Sequence, residues 1–92
     1  MDHENRPHVI VQLWNTKGEL EMTSDVLTRP YRTFDRLMRK VCKAMDCSLS
    51  DFDVVSGEIM LNDYALEIRT FQIPAGQCLL VDMRPKWIHS SF

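Results

Sequence analysis

Thr33-Phe34-Asp35-Arg36-Leu37-Met38-Arg39-Lys40-Val41-Cys42-Lys43-Ala44-Met45 sets the architecture of this chain. Phe34, Leu37, Met38, Val41, Cys42 and Met45 recur at spacings of three and four, which gathers them on one stripe of an α-helix, and Thr33 supplies a hydroxyl to cap it. The helix ends near Asp46 to Leu49, where Ser48 and Ser50 favour loop geometry. A helix with a single apolar stripe needs a single apolar surface to lie on.

The flanking sequence provides that surface as a sheet. Toward the N-terminus, His8 to Trp14 alternates Val9, Val11 and Leu13 with His8, Ile10, Gln12 and Trp14, the period of a strand. Asn15-Thr16-Lys17-Gly18 supplies turn chemistry, and Glu19 to Thr23 alternates again with Leu20 and Met22 on one face, completing a hairpin. Asp25 to Arg32, with Pro30, reads as a connector into the helix. Toward the C-terminus, Phe52 to Val55 is a short strand that Ser56-Gly57 turns toward Glu58 to Leu61. Asn62 to Ile68 has helical spacing over only one turn, and Pro74-Ala75-Gly76 breaks the chain before a last strand, Gln77 to Met83. Two strands, a helix and further strands leave the helix one sheet face to cover. The expected class is α+β, a mixed four- to five-stranded sheet packed on one helix.

Ninety-two residues, 45% of them hydrophobic, bury one modest core. The domain is expected over residues 8–84, between a flexible segment 1–7 and a tail 85–92. Eleven Lys and Arg against thirteen Asp and Glu give a net charge of −2, which offers no general attraction to nucleic acid or an acidic membrane, so neither is expected as a partner. Cys42, Cys47 and Cys78 lack CxxC spacing and suit a reduced compartment, cytoplasmic or nuclear. The polar start, Met1 to His8, does not resemble a signal peptide, and no apolar run approaches membrane-spanning length.

Order and spacing together resemble the ubiquitin-like β-grasp over residues 8 to 84. Thr33 with Phe34, Leu37 and Val41 resembles the capped helix of that family, and Val54-Val55-Ser56-Gly57 its third strand and glycine turn. Asp63-Tyr64 with Leu66 and Ile68 resembles its late turn, and Cys78-Leu79-Leu80-Val81-Asp82-Met83-Arg84 its last strand. Conjugation in that family requires a diglycine tail, because only an extended backbone without side chains threads the activating enzyme. Here the strand runs into Pro85-Lys86-Trp87. The resemblance is to divergent domains embedded in larger proteins, such as ubiquitin-specific proteases. It implies a non-conjugated protein-interaction or regulatory module of the ubiquitin system, whose partner is another protein or, in a longer chain, a neighbouring unit.

The family's recognition surface is an apolar patch on the open sheet face. With Phe52 and Val54 turned inward, Val55 turns outward, and Leu79 and Val81 are expected beside it, with Asp53 at the edge. The opposite register of the third strand would bury Asp53 without a partner, at a high cost. A second surface is basic: Arg29, Arg32, Arg36, Arg39, Lys40 and Lys43 are six of the eleven cations, compressed into fifteen positions. Only Asp35 is spaced to pair within this window, with Arg39. Such a face is ordinarily just solvated, but its scarcity of acids points to an acidic protein surface for Arg32, Arg36, Arg39, Lys40 and Lys43. The stripe carries no DNA-binding motif or set of stacking aromatics.

Catalysis, metals and cofactors find no footing in the sequence. Cys42 and Cys78 fall on expected core faces, Cys47 just beyond the helix is the one thiol expected to be exposed, and His3, His8 and His89 lie in the terminal segments. Gly18, Gly57 and Gly76 are too scattered for a phosphate loop. Trp87 is expected to fold back over an apolar edge or to be disordered. A rival reading is a different β-grasp module that associates head to tail, with Asp51, Asp53 and Glu58 meeting the basic face; the main reading expects a monomer. A third is thiol-dependent chemistry at Cys47.

Overall fold

The Thr33 hydroxyl accepts a hydrogen bond from the Arg36 backbone N–H at 3.4 Å, and α1 (Phe34–Met45) starts there in the computed structural model, which describes residues 6–61, 65–74 and 76–86. Its six predicted stripe residues are all buried. The helix closes in a Schellman motif: Asp46 takes a left-handed conformation (φ 56°, ψ 50°) and donates to the Lys43 carbonyl. Cys47 N–H reaches back to the Cys42 carbonyl at 3.0 Å.

Five strands form the sheet under α1: β1 (His8–Trp14), β2 (Leu20–Leu27), β3 (Phe52–Ser56), β4 (Ile59–Met60) and β5 (Cys78–Pro85). Their order is β2-β1-β5-β3-β4, with β1 and β5 parallel and the other neighbours antiparallel. Val9, Val11 and Leu13 of β1, Val54 of β3, and Val81 and Met83 of β5 meet Phe34, Leu37, Met38 and Val41 in one core, closed by Leu61 and Ile68. The expected α+β architecture is present, with five strands.

The boundaries differ from expectation in three places. β2 runs four residues past Thr23, to Leu27, because Val26 is cross-strand partner to Val9 and packs on the core. The expected turn before Ile68 becomes a 3₁₀ turn at Ile68–Phe71, positioned by backbone bonds from Phe34 N–H to the Leu66 carbonyl (2.9 Å) and from Ile68 N–H to the Arg32 carbonyl (2.8 Å). Asn62, Asp63 and Tyr64, which carry part of the resemblance, lie outside the described residues.

Pro85 is the buried last residue of β5 rather than the first residue of a tail. Lys86 N–H bonds to the Asp51 carbonyl on the β3 side at 3.0 Å. Successive backbone nitrogens alternate sides, so the Pro85 nitrogen faces the flank where pairing with β1 has already stopped at Met83, and no ladder bond is lost.

The register of β5 corrects one expectation. Opposed residues share a sheet face, and Val54 lies opposite Met83, so Met83, Val81 and Leu79 all face the helix. Val81 is 0% exposed and opposes Val11, while Leu79 is half-buried against the core beside Val9. Cys78, expected inside, is exposed, and Leu80 takes the outward place.

Candidate protein-binding surfaces

Leu80 is 46% exposed near the centre of the open sheet face. Ile10 is its direct neighbour on β1, Val55 stands diagonal to it on β3, and Met60 lies beside Val55 on β4. Ile10 and Val55 are half-buried and Met60 is 49% exposed, giving an apolar row across four strands. Of the expected patch, Val55 is in place, whereas Leu79 and Val81 are turned inside.

A polar brace borders the row. The Trp14 indole Nε1–H donates to Asp82 Oδ1 at 2.8 Å, and the other Asp82 oxygen lies 3.9 Å from the Arg84 guanidinium. His8 and Asp25 form a second pair on this face, across β1 and β2. Asp82 and Arg84 share the parity of Leu80, and this is the signal by which the outward residues of β5 were legible: charged side chains mark the solvent parity of a half-buried strand. Trp14 has no role legible in the sequence; the meeting of its indole with a carboxylate 68 positions away on the neighbouring strand is visible only once β1 and β5 are paired.

The basic residues lie elsewhere. Arg36, Arg39, Lys40 and Lys43 are exposed on α1 and Arg32 is half-buried just before it. Arg39 Nε meets Asp35 at 3.1 Å, the one pairing the spacing allowed. Since α1 covers the inner face of the sheet, the stripe and the apolar row point away from each other. A flat partner engages one of them at a time. Of the acidic segment read for head-to-tail association, Asp51 and Glu58 are exposed and Asp53 is half-buried opposite Arg84, so a cation interrupts it.

The three thiols are graded by the fold. Cys78 is exposed, Cys47 half-buried and Cys42 buried. Burial pushes the Cys42 thiol up to about 12, and the adjacent Cys47 thiol adds to the shift. Alkylation at neutral pH is therefore expected to modify Cys78 first, Cys47 more slowly and Cys42 only on unfolding, as read by peptide mass mapping over time; Cys42 reacting alongside Cys78 would refute the placement. The raised thiol also destabilises the fold in alkali. Its contribution is intact below the free-thiol pKa of about 8.5 and is lost as pH climbs toward about 12. Urea midpoints measured at neutral and alkaline pH should fall further for the wild type than for Cys42→Ala.

Among the described residues no group of His, Cys, Asp or Glu converges to hold a metal ion, and no helix is long and apolar enough to cross a membrane. His3, His89 and the Trp87 tail lie outside the described residues.

No protein-family model and no curated protein matches the sequence. Solved structures do match in fold. The UBL domain of yeast Ddi1 superposes with a TM-score of 0.61 at 11% identity, over 86% of this chain and 90% of that one. Ubiquitin of Caldiarchaeum subterraneum gives 0.60 at 13% identity, over 84% and 94%. The C-terminal ubiquitin-like domain of mouse tubulin-specific chaperone e gives 0.54 at 13%, over 85% and 86%. The fold of this chain is the ubiquitin-like β-grasp.

Proposed function

We propose that this ubiquitin-like domain is a non-conjugated protein-interaction module of the ubiquitin system, reading its partner through the apolar row on the open sheet face. The observation that carries the reading is the exposure of Leu80 and Met60 beside Ile10 and Val55, on a face that no other element covers among the described residues. Exposed apolar neighbours rimmed by charged groups, here Asp82, Arg84, His8 and Asp25, have the composition of a recognition surface. Non-conjugation is supported by the junction itself. Where a conjugatable tail leaves the last strand as free backbone, this chain has a proline buried within the strand and Lys86 hydrogen-bonded behind it.

Two of the similar folds are by name domains, which supports a role beside other units of a longer chain; the free thiols suit partners in a reduced compartment, the cytoplasm or nucleus. The module acts without catalysis. The basic helix face serves separately, as an orienting surface for acidic groups.

The test is affinity capture with three immobilised proteins: the wild type, Leu80→Asp and Arg36→Glu/Arg39→Glu. The Leu80 variant is expected to lose its partner set about tenfold or more, as removal of a central anchor does. Equal capture by wild type and Leu80→Asp would overturn the reading. The charge-reversed variant is expected to slow association at low salt and to converge with the wild type at high salt.

A further inference from the structure

Three of the six clustered cations, Arg29, Arg32 and Lys40, join Arg6 around a concavity. Arg6, Arg29, Arg32 and Lys40 line a pocket of about 180 Å³ together with Thr28 and Leu37, and among the described residues no acidic side chain takes part in its wall. The segments that carry them are fixed by backbone hydrogen bonds. Thr28 N–H donates to the Pro7 carbonyl at 2.9 Å, which holds Arg6 beside the end of β2. Arg32 N–H closes a turn onto the Arg29 carbonyl at 3.1 Å, with Pro30 in the second position. From below, Arg69 N–H bonds to the Pro30 carbonyl and Ile68 N–H to the Arg32 carbonyl, both at 2.8 Å. The two guanidinium groups therefore project from the ends of one tied turn, while Lys40 reaches in from α1.

Nearby carboxylates are already engaged: Asp25 by His8, Asp35 by Arg39 and Glu67 by Arg69. Among the described residues none is within ion-pair distance of the four pocket cations. Thr28 is 6% exposed in the wall between them. Four cations held together on a chain of net charge −2 repel one another unless an anion sits between them.

We propose that this pocket receives a phosphate monoester carried on an extended segment of a protein partner. A dianionic tetrahedral group presents acceptor oxygens in several directions, which suits guanidinium forks on two sides and a lysine on a third. A peptide fits better than a membrane because the pocket is concave and continues into a groove. Val26, Leu27 and Lys40 also border a neighbouring space of about 310 Å³ between β2 and α1, walled further by Ser24, Val41, Ala44 and Asp25, whose carboxylate is engaged by His8. A chain follows such a groove and a bilayer surface does not enter it. The proposal rests on the reading of this chain as a partner-binding module, yet the two fail separately: the sheet-face reading is tested at Leu80, the pocket at Arg29 and Arg32.

The experiment is an amide chemical-shift titration of the full chain with a blocked hexapeptide, Gly-Val-Val-phosphoSer-Val-Gly. Its unphosphorylated form, inorganic phosphate and phosphatidylcholine vesicles containing a phosphoinositide are run in parallel. Shifts are expected at Thr28 to Arg32 and Leu37 to Val41 with the phosphopeptide alone or most strongly. Arg29→Gln/Arg32→Gln is expected to bind about tenfold more weakly or worse, and Lys17→Gln/Lys86→Gln, which removes two charges from exposed positions away from the pocket, to bind as wild type. Should the double variant lose its folded spectrum, Lys40→Gln carries the same test. Equal shifts from the unphosphorylated peptide, or equal weakening by both double variants, would overturn the pocket. Binding to vesicles but not to peptide, or to inorganic phosphate as tightly as to peptide, would overturn the assigned source.

Discussion

Replacing Val81 by aspartate should abolish cooperative folding, while the same replacement one residue earlier, Leu80→Asp, should leave a folded domain. Val81 is 0% exposed between Val11 and the helix, and Leu80 is 46% exposed on the other face. Losing the burial of a valine costs roughly 1.5–3 kcal/mol. An unpaired carboxylate in the same place adds several kcal/mol, since among the described residues the core around Val81 contains no cation. The sum is comparable with the whole stability of a domain this size, about 5–15 kcal/mol. At Leu80 the carboxylate stays in water, and the change in stability should be within about 1 kcal/mol. Urea unfolding followed by far-ultraviolet circular dichroism distinguishes the two. Similar midpoints for both variants would mean that β5 is paired in the other register, and the apolar row would be wrong with it.

The second large effect is expected at Phe34. Its ring is 1% exposed and meets Phe71 edge to face, with centroids 4.9 Å apart and planes at 72°. Its backbone N–H holds the Leu66 carbonyl, so one residue ties the first turn of α1 to the segment that runs into the 3₁₀ turn. Phe34→Ala removes the buried ring at a cost of roughly 3–5 kcal/mol. For a chain of this length that corresponds to a fall in Tm on the order of 15–30 °C. Phe34→Leu, which keeps most of the apolar volume but loses the ring pair, should recover the larger part of that loss. A fall of only a few degrees for the alanine variant would show that the 65–71 segment contributes little to the core.

How far the sequence was readable can be traced through these same residues. The stripe of α1 was complete in the sequence because a 3.6-residue period needs no partner to be recognised, and β1 alternated strictly enough to separate Val9, Val11 and Leu13 from Ile10 and Gln12. β5 did not alternate. Cys78 to Val81 is apolar at both parities, since the strand lies centrally between β1 and β3, and only Asp82 and Arg84 mark the solvent side. The error moved Leu79 and Val81 outward and hid Leu80. The expected end of β2 at Thr23 has a different cause: Ser24, opposite Val11, interrupts the core-facing parity that Met22 and Val26 share.

The basic cluster was legible as composition and misleading as geometry. Helical spacing placed Arg36, Arg39, Lys40 and Lys43 together. It did not show that Lys40 lies on the β2 side of the helix, or that Arg6, from the other end of the chain's first hairpin, lies against the same turn. Long-range juxtapositions of this kind follow from the sheet order, and the sheet order is not written in any local stretch.

The parallel pairing of β1 with β5 has a consequence for the making of the protein. His8 pairs with Cys78, and every later pair in that ladder keeps the same separation of seventy positions. β5 also lies between β1 and β3, so without it the N-terminal hairpin and the β3–β4 hairpin share no edge. A nascent chain emerging from the ribosome therefore holds two disconnected hairpins and a helix with nothing continuous to cover until its final strand is clear of the exit tunnel. The domain is built to fold only once its last strand is out, and its exposed apolar faces are at their most vulnerable in the interval before Pro85 emerges.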